Sequence, residues 1–153
     1  MNILVAYDSK FGNTEKLAHA IGTELGALGP VEVRPVGGAD AQLAGPVDLL
    51  VLGGPTEAHG MTSGVRAFID AMGTTNRTGA RTAVFDTRFR LPPVLTGSAA
   101  KRIARRLRRL DASLVAPPES FFVTRKGEPQ LEEGELKRAR AWAATLRASV
   151  LTV

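Results

Sequence analysis

The residues best suited to chemistry in this chain are Ser9, Lys10, Phe11, Gly12, Asn13 and Thr14, which stand between an apolar run and a stretch of helical spacing. Ser9, Asn13 and Thr14 offer side-chain hydrogen bonds to phosphate oxygens, and Gly12 lets the backbone approach a ligand closely. A loop that enters a helix also presents unpaired N–H groups at the positive end of the helix dipole. The stretch therefore reads as a phosphate cradle. The same residue types cap helices, so a simple N-cap is the competing reading. A second polar loop, Pro55 to Gly64, carries Glu57 and His59, an arrangement open to acid/base work but commonplace in exposed loops.

The elements that must position these loops are legible from periodicity. Ile3 to Tyr7 is a short apolar run bounded by turn residues and reads as a buried strand. From Leu17 the spacing becomes helical, with Leu17, Ala18, Ile21, Leu25 and Leu28 on one face. Val31 to Val36 is a second strand, and Pro35 inside it points to a sheet edge. Gly37 to Pro46 is a loop with room for a helical turn around Ala41 to Ala44. Val47 to Gly54 is a third strand, apolar throughout its middle and so covered on both faces.

Val65, Phe68, Ile69 and Met72 mark a second helix ending near Gly73, and residues 74–79 form a polar connection. Arg81 to Phe85 is a fourth strand that delivers Asp86 and Thr87 to its carboxyl end. Residues 88–97 are a third loop, after which Thr96 or Ser98 can cap a helix over Ala99 to Leu110. A fifth strand begins near Ser113 and is interrupted by Pro117 and Pro118. The last helix, Leu131 to Val150, places Leu136, Ala139, Ala143, Leu146 and Val150 in register with Trp142 on the flank, and Glu132, Glu133 and Glu135 suit the start of its dipole. Alternating strands and helices with short connections predict an α/β fold, a doubly wound five-stranded parallel sheet in the order 2-1-3-4-5 within a three-layer sandwich. Ligands then bind between strands 1 and 3.

Composition narrows the function classes. A chain of 153 residues with 44% apolar content suits a single domain over residues 1–153. The absence of cysteine removes disulfides and thiolate chemistry, and two distant histidines, His19 and His59, make a zinc site improbable. No run approaches the roughly 20 apolar residues of a membrane span, so a cytoplasmic protein is expected. The net charge of +5 favours an acidic partner or nucleic acid, and the arginine-rich stretch 101–109 is either a docking face for an acidic redox partner or anionic surface, or a solvated helix surface. No aromatic-bearing strands or helix-turn-helix support nucleic-acid binding. A P-loop motif is missing, and Gly53 and Gly54 stand where a phospho-receiver needs an aspartate.

Over essentially its full length the sequence resembles the short-chain flavodoxin family. YDSKFGNTEKLA is similar to that family's first-loop pattern, with Phe11 in place of a usual threonine or serine, at the expense of one hydroxyl on the phosphate. GGPTEAHGM is similar to the Gly-x-Pro-Thr stretch that passes beside the flavin. The resemblance implies FMN, with its phosphate on Ser9, Lys10, Phe11, Gly12, Asn13 and Thr14. It places the ring between residues 55–61, with Pro55, Thr56, Glu57, His59 and Gly60 as its contacts, on one side and residues 86–91, with Asp86, Thr87, Arg88 and Phe89, on the other.

The family commonly stacks a tryptophan or tyrosine on each side of the ring. Trp142 lies in the last helix and Tyr7 in the first strand, which leaves His59 and Phe89 as substitutes. Arg88 and Arg90 replace the acidic third loop of electron-carrier flavodoxins and are expected either to raise the potential of the reduced couple or to point to solvent. The implied function is electron transfer with a redox partner protein, or reduction of a small quinone-type acceptor. The alternative is a flavin-free binding or regulatory module on the same fold.

Overall fold

The computed structural model describes residues 1–37, 46–74 and 80–152. The expected helical turn at 41–44 and the connection over 75–79 lie outside the described residues. Strand β1 (Ile3–Tyr7) is buried at every position, as its apolar run predicts. It pairs in parallel with β2 (Val31–Pro35) on one side and β3 (Leu49–Pro55) on the other. Strand β4 (Arg81–Phe89) follows β3, giving the order 2-1-3-4-5. Pro35 sits on the edge strand, opposite Tyr7, where a missing N–H breaks no second ladder.

Between the strands run α1 (Asn13–Leu25), α2 (Ser63–Thr74), the short α3 (Pro93–Thr96), α4 (Ala99–Arg108) and α5 (Glu135–Leu151). Because side chains alternate across a strand, odd residues of β1 and β3 face one layer and even residues the other. Ile3, Val5, Tyr7, Leu49 and Val51 pack on α1 and α5 through Leu17, Ile21, Leu25, Ala139 and Leu146. Leu4, Ala6, Leu50 and Leu52 pack on α2 and α4 through Val65, Phe68, Ile69, Ile103 and Leu107. Fully burying a side chain of this size contributes roughly 1.5–3 kcal/mol, so the two apolar layers dominate the fold's stability. Among the described residues no helix is long and apolar enough to cross a membrane.

The fifth strand is interrupted, as Pro117 and Pro118 predict, into β5 (Ser113–Leu114) and β6 (Glu119–Val123), and both pair with β4. Two boundaries differ from the sequence expectation, the end of β4 and the start of the last helix. Because β6 aligns with Phe85 to Phe89, the backbone of residues 86–89 finds ladder partners, and β4 runs four residues beyond its expected end. The last helix begins at Glu135 rather than Leu131, and Leu131 instead bridges Val123. Glu135 is buried there and Leu136 is exposed, the reverse of the expected register. Trp142 is not on the flank but in the core, its ring edge-on to Phe85 and Phe121 with centroids 6.0 Å from each.

Polar chemistry at the head of α5 explains that register. The Glu135 carboxylate accepts the Phe122 N–H at 2.8 Å and pairs with Arg138 at 2.7 Å. Burial alone raises its pKa, but the hydrogen bonds from Arg138 and Phe122 and the neighbouring positive charge outweigh that and hold it below the usual value. Its stabilising contribution is therefore complete above the unfolded-state pKa of about 4.3 and is lost as pH falls through the lower folded value. Glu135→Gln is expected to cost about 1–3 kcal/mol at neutral pH and to flatten the decline of stability below about pH 4. Urea unfolding across that pH range checks both effects.

Candidate functional site

Strands β1, β3 and β4 are neighbours, so the loops leaving their carboxyl ends meet at one edge of the sheet. They enclose a cleft of about 410 Å³. Ser9, Lys10, Phe11, Asn13 and Thr14 line it from the first loop, and Pro55, Thr56, Glu57 and His59 from the second. Thr87, Arg88 and Phe89 line it from β4. Ala58 and Leu91, inside the expected stretches 55–61 and 86–91, line it too, while sequence reasoning missed Leu95, Thr96, Val123 and Pro129. The last two come from β6 and the loop after it, which carry no motif and reach the cleft only through β6 pairing with β4.

The first loop closes on itself. Ser9 Oγ accepts the Gly12 N–H at 3.1 Å, and Asp8 accepts both the Ser9 N–H at 3.0 Å and the Thr62 hydroxyl at 2.5 Å. Gly12 adopts φ +85°, a left-handed turn that brings the chain into α1. No side chain caps that helix. Asn13 instead donates to the Pro129 carbonyl at 2.8 Å, and the Thr14 hydroxyl lies 3.3 Å from that of Thr87. Gly12 itself does not line the cleft, and its part is conformational.

The second loop is a tight turn in which Glu57 and Gly60 exchange backbone hydrogen bonds at 2.9 and 2.8 Å. Ala58 and His59 occupy its centre at φ 45° and 69°, conformations that non-glycine residues rarely adopt. The turn is held from the third loop, where His59 Nε2 lies 3.0 Å from the Leu95 carbonyl and the His59 backbone packs on Gly97. Glu57 is 3.7 Å from Lys10 across the cleft mouth. Glu57 and His59 are thus engaged with different partners, and the acid/base pair considered from sequence is not assembled. Gly60 is buried against the Arg102 side chain and does not line the cleft.

Asp86 lies beneath the cleft rather than in it, because β4 continues past it. It is fully buried, and its Oδ2 accepts from Ser98 Oγ at 2.7 Å, Ala100 N–H at 2.9 Å and Thr56 Oγ1 at 3.3 Å. Its Oδ1 has no partner among the described residues. Ser98 also accepts the Lys101 N–H, so Ser98, not Thr96, caps α4. Asp86 therefore ties the end of β4 to the second loop and to the α4 N-terminus.

Neither large aromatic reaches the cleft. Trp142 is in the core, and the buried Tyr7 donates its hydroxyl to Glu15 at 2.7 Å. Burial, with the Glu15 hydrogen bond and charge, pushes that hydroxyl up to about 12. Phe11, 46% exposed, and Phe89, 37% exposed, present apolar surface at the cleft instead. Arg88 donates to Ser120 Oγ at 3.0 Å and to the Leu91 carbonyl at 2.8 Å, while Arg90 pairs with Glu132 at 3.0 Å. Both guanidinium groups lie over the Phe122 ring, so neither simply points to solvent. Among the described residues no cluster of histidine, aspartate or glutamate could hold a metal ion.

No protein-family model and no curated protein matches the chain. Solved structures do. A flavodoxin from the domain Archaea superposes with a TM-score of 0.79 at 21% identity, over 99% of both chains. Flavodoxin 2 from Bacillus cereus gives 0.76 at 23%, over 97% of this chain and 99% of that one. Rubredoxin oxygen:oxidoreductase from Desulfovibrio gigas gives 0.72 at 15%, over 97% of this chain but 37% of that longer protein. The chain has the flavodoxin fold.

The second and third loops meet in a close backbone contact. Gly97 adopts φ +70° and ψ −177°, and a Cβ there would collide with the His59 backbone. Gly97→Ala is expected to destabilise by about 2–4 kcal/mol. Gly26→Ala, at an ordinary helical φ of −57° with open space around it, should instead stabilise by about 0.4–1 kcal/mol. Urea unfolding of the two variants side by side separates steric locking from general intolerance of alanine.

Proposed function

We propose that the cleft binds FMN and that the protein works in electron transfer. The observation that carries this reading is the start of α1. Its N-terminus is uncapped by any side chain and opens at a cleft with hydroxyls and an amide close by. A dianionic phosphate there accepts the free N–H groups and meets the positive end of a 13-residue helix. Ser9, Asn13 and Thr14 add polar contacts, and Lys10 adds charge.

The apolar part of the cleft suits a flat ring. Phe89, Phe11 and His59 supply the faces that a tryptophan or tyrosine supplies elsewhere, and Pro55, Thr56 and Thr87 supply polar edges from backbone and side chain. Bound flavin contributes one- and two-electron redox chemistry, and the residues around it set its potential and access. Arg88 has no carboxylate partner among the described residues and lines the cleft, so it favours negative charge on the reduced ring. Arg90 is balanced by Glu132 and contributes less.

A second reading, reduction of a small quinone-type acceptor, draws on the apolar surface of Leu91 and Leu95 beside the ring position. The flavin-free alternative draws on the burial of Tyr7 and Trp142 away from the cleft.

Absorbance of the purified protein and fluorescence titration with FMN test the proposal. Saturable quenching is expected, with Thr14→Val weakening binding about tenfold, which is 1.4 kcal/mol. Absence of quenching at micromolar FMN supports the flavin-free reading. In a redox titration of the loaded protein, Arg88→Gln should lower the potential of the reduced couple more than Arg90→Gln does.

A further inference from the structure

The exposed face of α4 carries charge of one sign. Lys101, Arg102, Arg105, Arg106, Arg108 and Arg109 follow one another along the helix and its C-cap with no acidic residue among them. Only Arg106 is neutralised, by Asp70 at 2.8 Å; the other five are exposed and form no ion pair among the described residues. Lys101, Arg105 and Arg109 stand at i, i+4 spacing, where like charges repel by roughly 0.2–0.5 kcal/mol per pair. Arg105, Arg106 and Arg108 stand in the last turn, where the dipole favours cations, so the helix itself tolerates the stripe at that end. The six cations exceed the chain's net charge of +5, leaving 14 of its 20 basic residues to face all 15 acidic ones. A stripe of six like charges that meets a single carboxylate, Asp70, among the described residues fits an acidic surface outside the molecule.

That stripe adjoins an apolar knob at the cleft mouth. Val94 is 86% exposed, the most exposed large hydrophobic among the described residues, and Leu95 is 60% exposed. Both lie on α3, immediately before α4. Leu95 also lines the cleft, and its carbonyl meets His59. Arg102 packs on Gly60 at the far side of the same loop. The knob and the cations thus form one surface around the cleft edge, extending about 12 Å along α4 at 1.5 Å per residue.

Resting on the FMN reading, we propose that α3 and the exposed face of α4 dock an acidic electron-transfer protein. The apolar knob makes the central contact and the arginines form the rim, the arrangement of a transient protein interface. A membrane is a poorer occupant, because the apolar face of α4, Ala100, Ile103, Ala104 and Leu107, is fully buried against the sheet. Nucleic acid is poorer too, since residues 90–109 contain no aromatic side chain on which a base would stack.

The test uses an acidic plant-type [2Fe–2S] ferredoxin as probe, titrated into the isotope-labelled protein with and without FMN, at about 20 mM and about 300 mM salt. Binding is expected at low salt, with shifts at residues 93–109, and should weaken about tenfold or more at high salt. The triple variant Lys101→Glu, Arg105→Glu, Arg109→Glu should lose about tenfold in affinity while keeping its circular dichroism and its FMN affinity. Val94→Ser with Leu95→Ser should lose affinity at both salt concentrations.

The proposal is overturned if ferredoxin does not bind, if the triple variant binds it unchanged, or if basic cytochrome c binds equally well. Tighter binding of duplex DNA or of phosphatidylserine vesicles through the same residues overturns it as well. Docking that persists in a protein unable to bind FMN contradicts the cofactor reading alone. FMN binding without docking contradicts this inference alone.

Discussion

The buried carboxylate of Asp86 is the fastening on which the far wall of the cleft depends. One oxygen takes a hydroxyl from Ser98, an amide from Ala100 and the hydroxyl of Thr56, and so joins β4, the second loop and the head of α4 at a single point. A buried polar group is expensive to leave unbonded, so the three donors and the Asp86 Oδ2 that accepts from them hold one another in place. Asp8 plays the matching part on the near side, where it accepts from Ser9 and Thr62 and ties the first loop to the segment leading into α2. Loops that would otherwise be free are thereby fixed to strands that are not.

The same accounting separates the two helices that begin near the cleft. At α4 the first N–H groups are taken by Thr56, Asp86 and Ser98, and little positive potential is left to attract a ligand. At α1 the polar side chains turn elsewhere: Ser9 to Gly12, Asn13 to Pro129, Thr14 towards Thr87. The helix start is left open to an anion. The first loop's residues are helix-capping types, yet the structure uses none of them as a cap.

Much of the fold was legible because its signals are local. Apolar runs and helical spacing located the strands and helices, Pro35 marked the edge, and Pro117 with Pro118 marked the break in the last strand. What escaped depends on pairing across the sheet. The extension of β4 arises from β6 lying beside it, and that extension carries Asp86 below the cleft instead of into it. The register of α5 turned on Glu135, a charged residue drawn inside by Phe122 and Arg138, against every rule of hydrophobic spacing. Ala58, Leu91, Leu95 and Thr96 lie within stretches already suspected, but nothing in their types distinguishes a lining residue from a neighbour. Arg88 and Arg90 were expected to raise the flavin's potential or to point to solvent; both guanidinium groups lie over Phe122, whose place beside them comes from β6, and Arg88 also lines the cleft.

The central claim is that the open start of α1 holds the phosphate of FMN. The most direct measurement compares FMN with riboflavin, which lacks only that phosphate, in amide-resolved NMR titrations of the same protein. The account predicts tighter binding of FMN, with amide shifts at residues 9–14 that riboflavin does not produce and shared shifts at residues 56–59 and 87–91. Equal affinity for the two, or FMN shifts that bypass the first turn of α1, would contradict it.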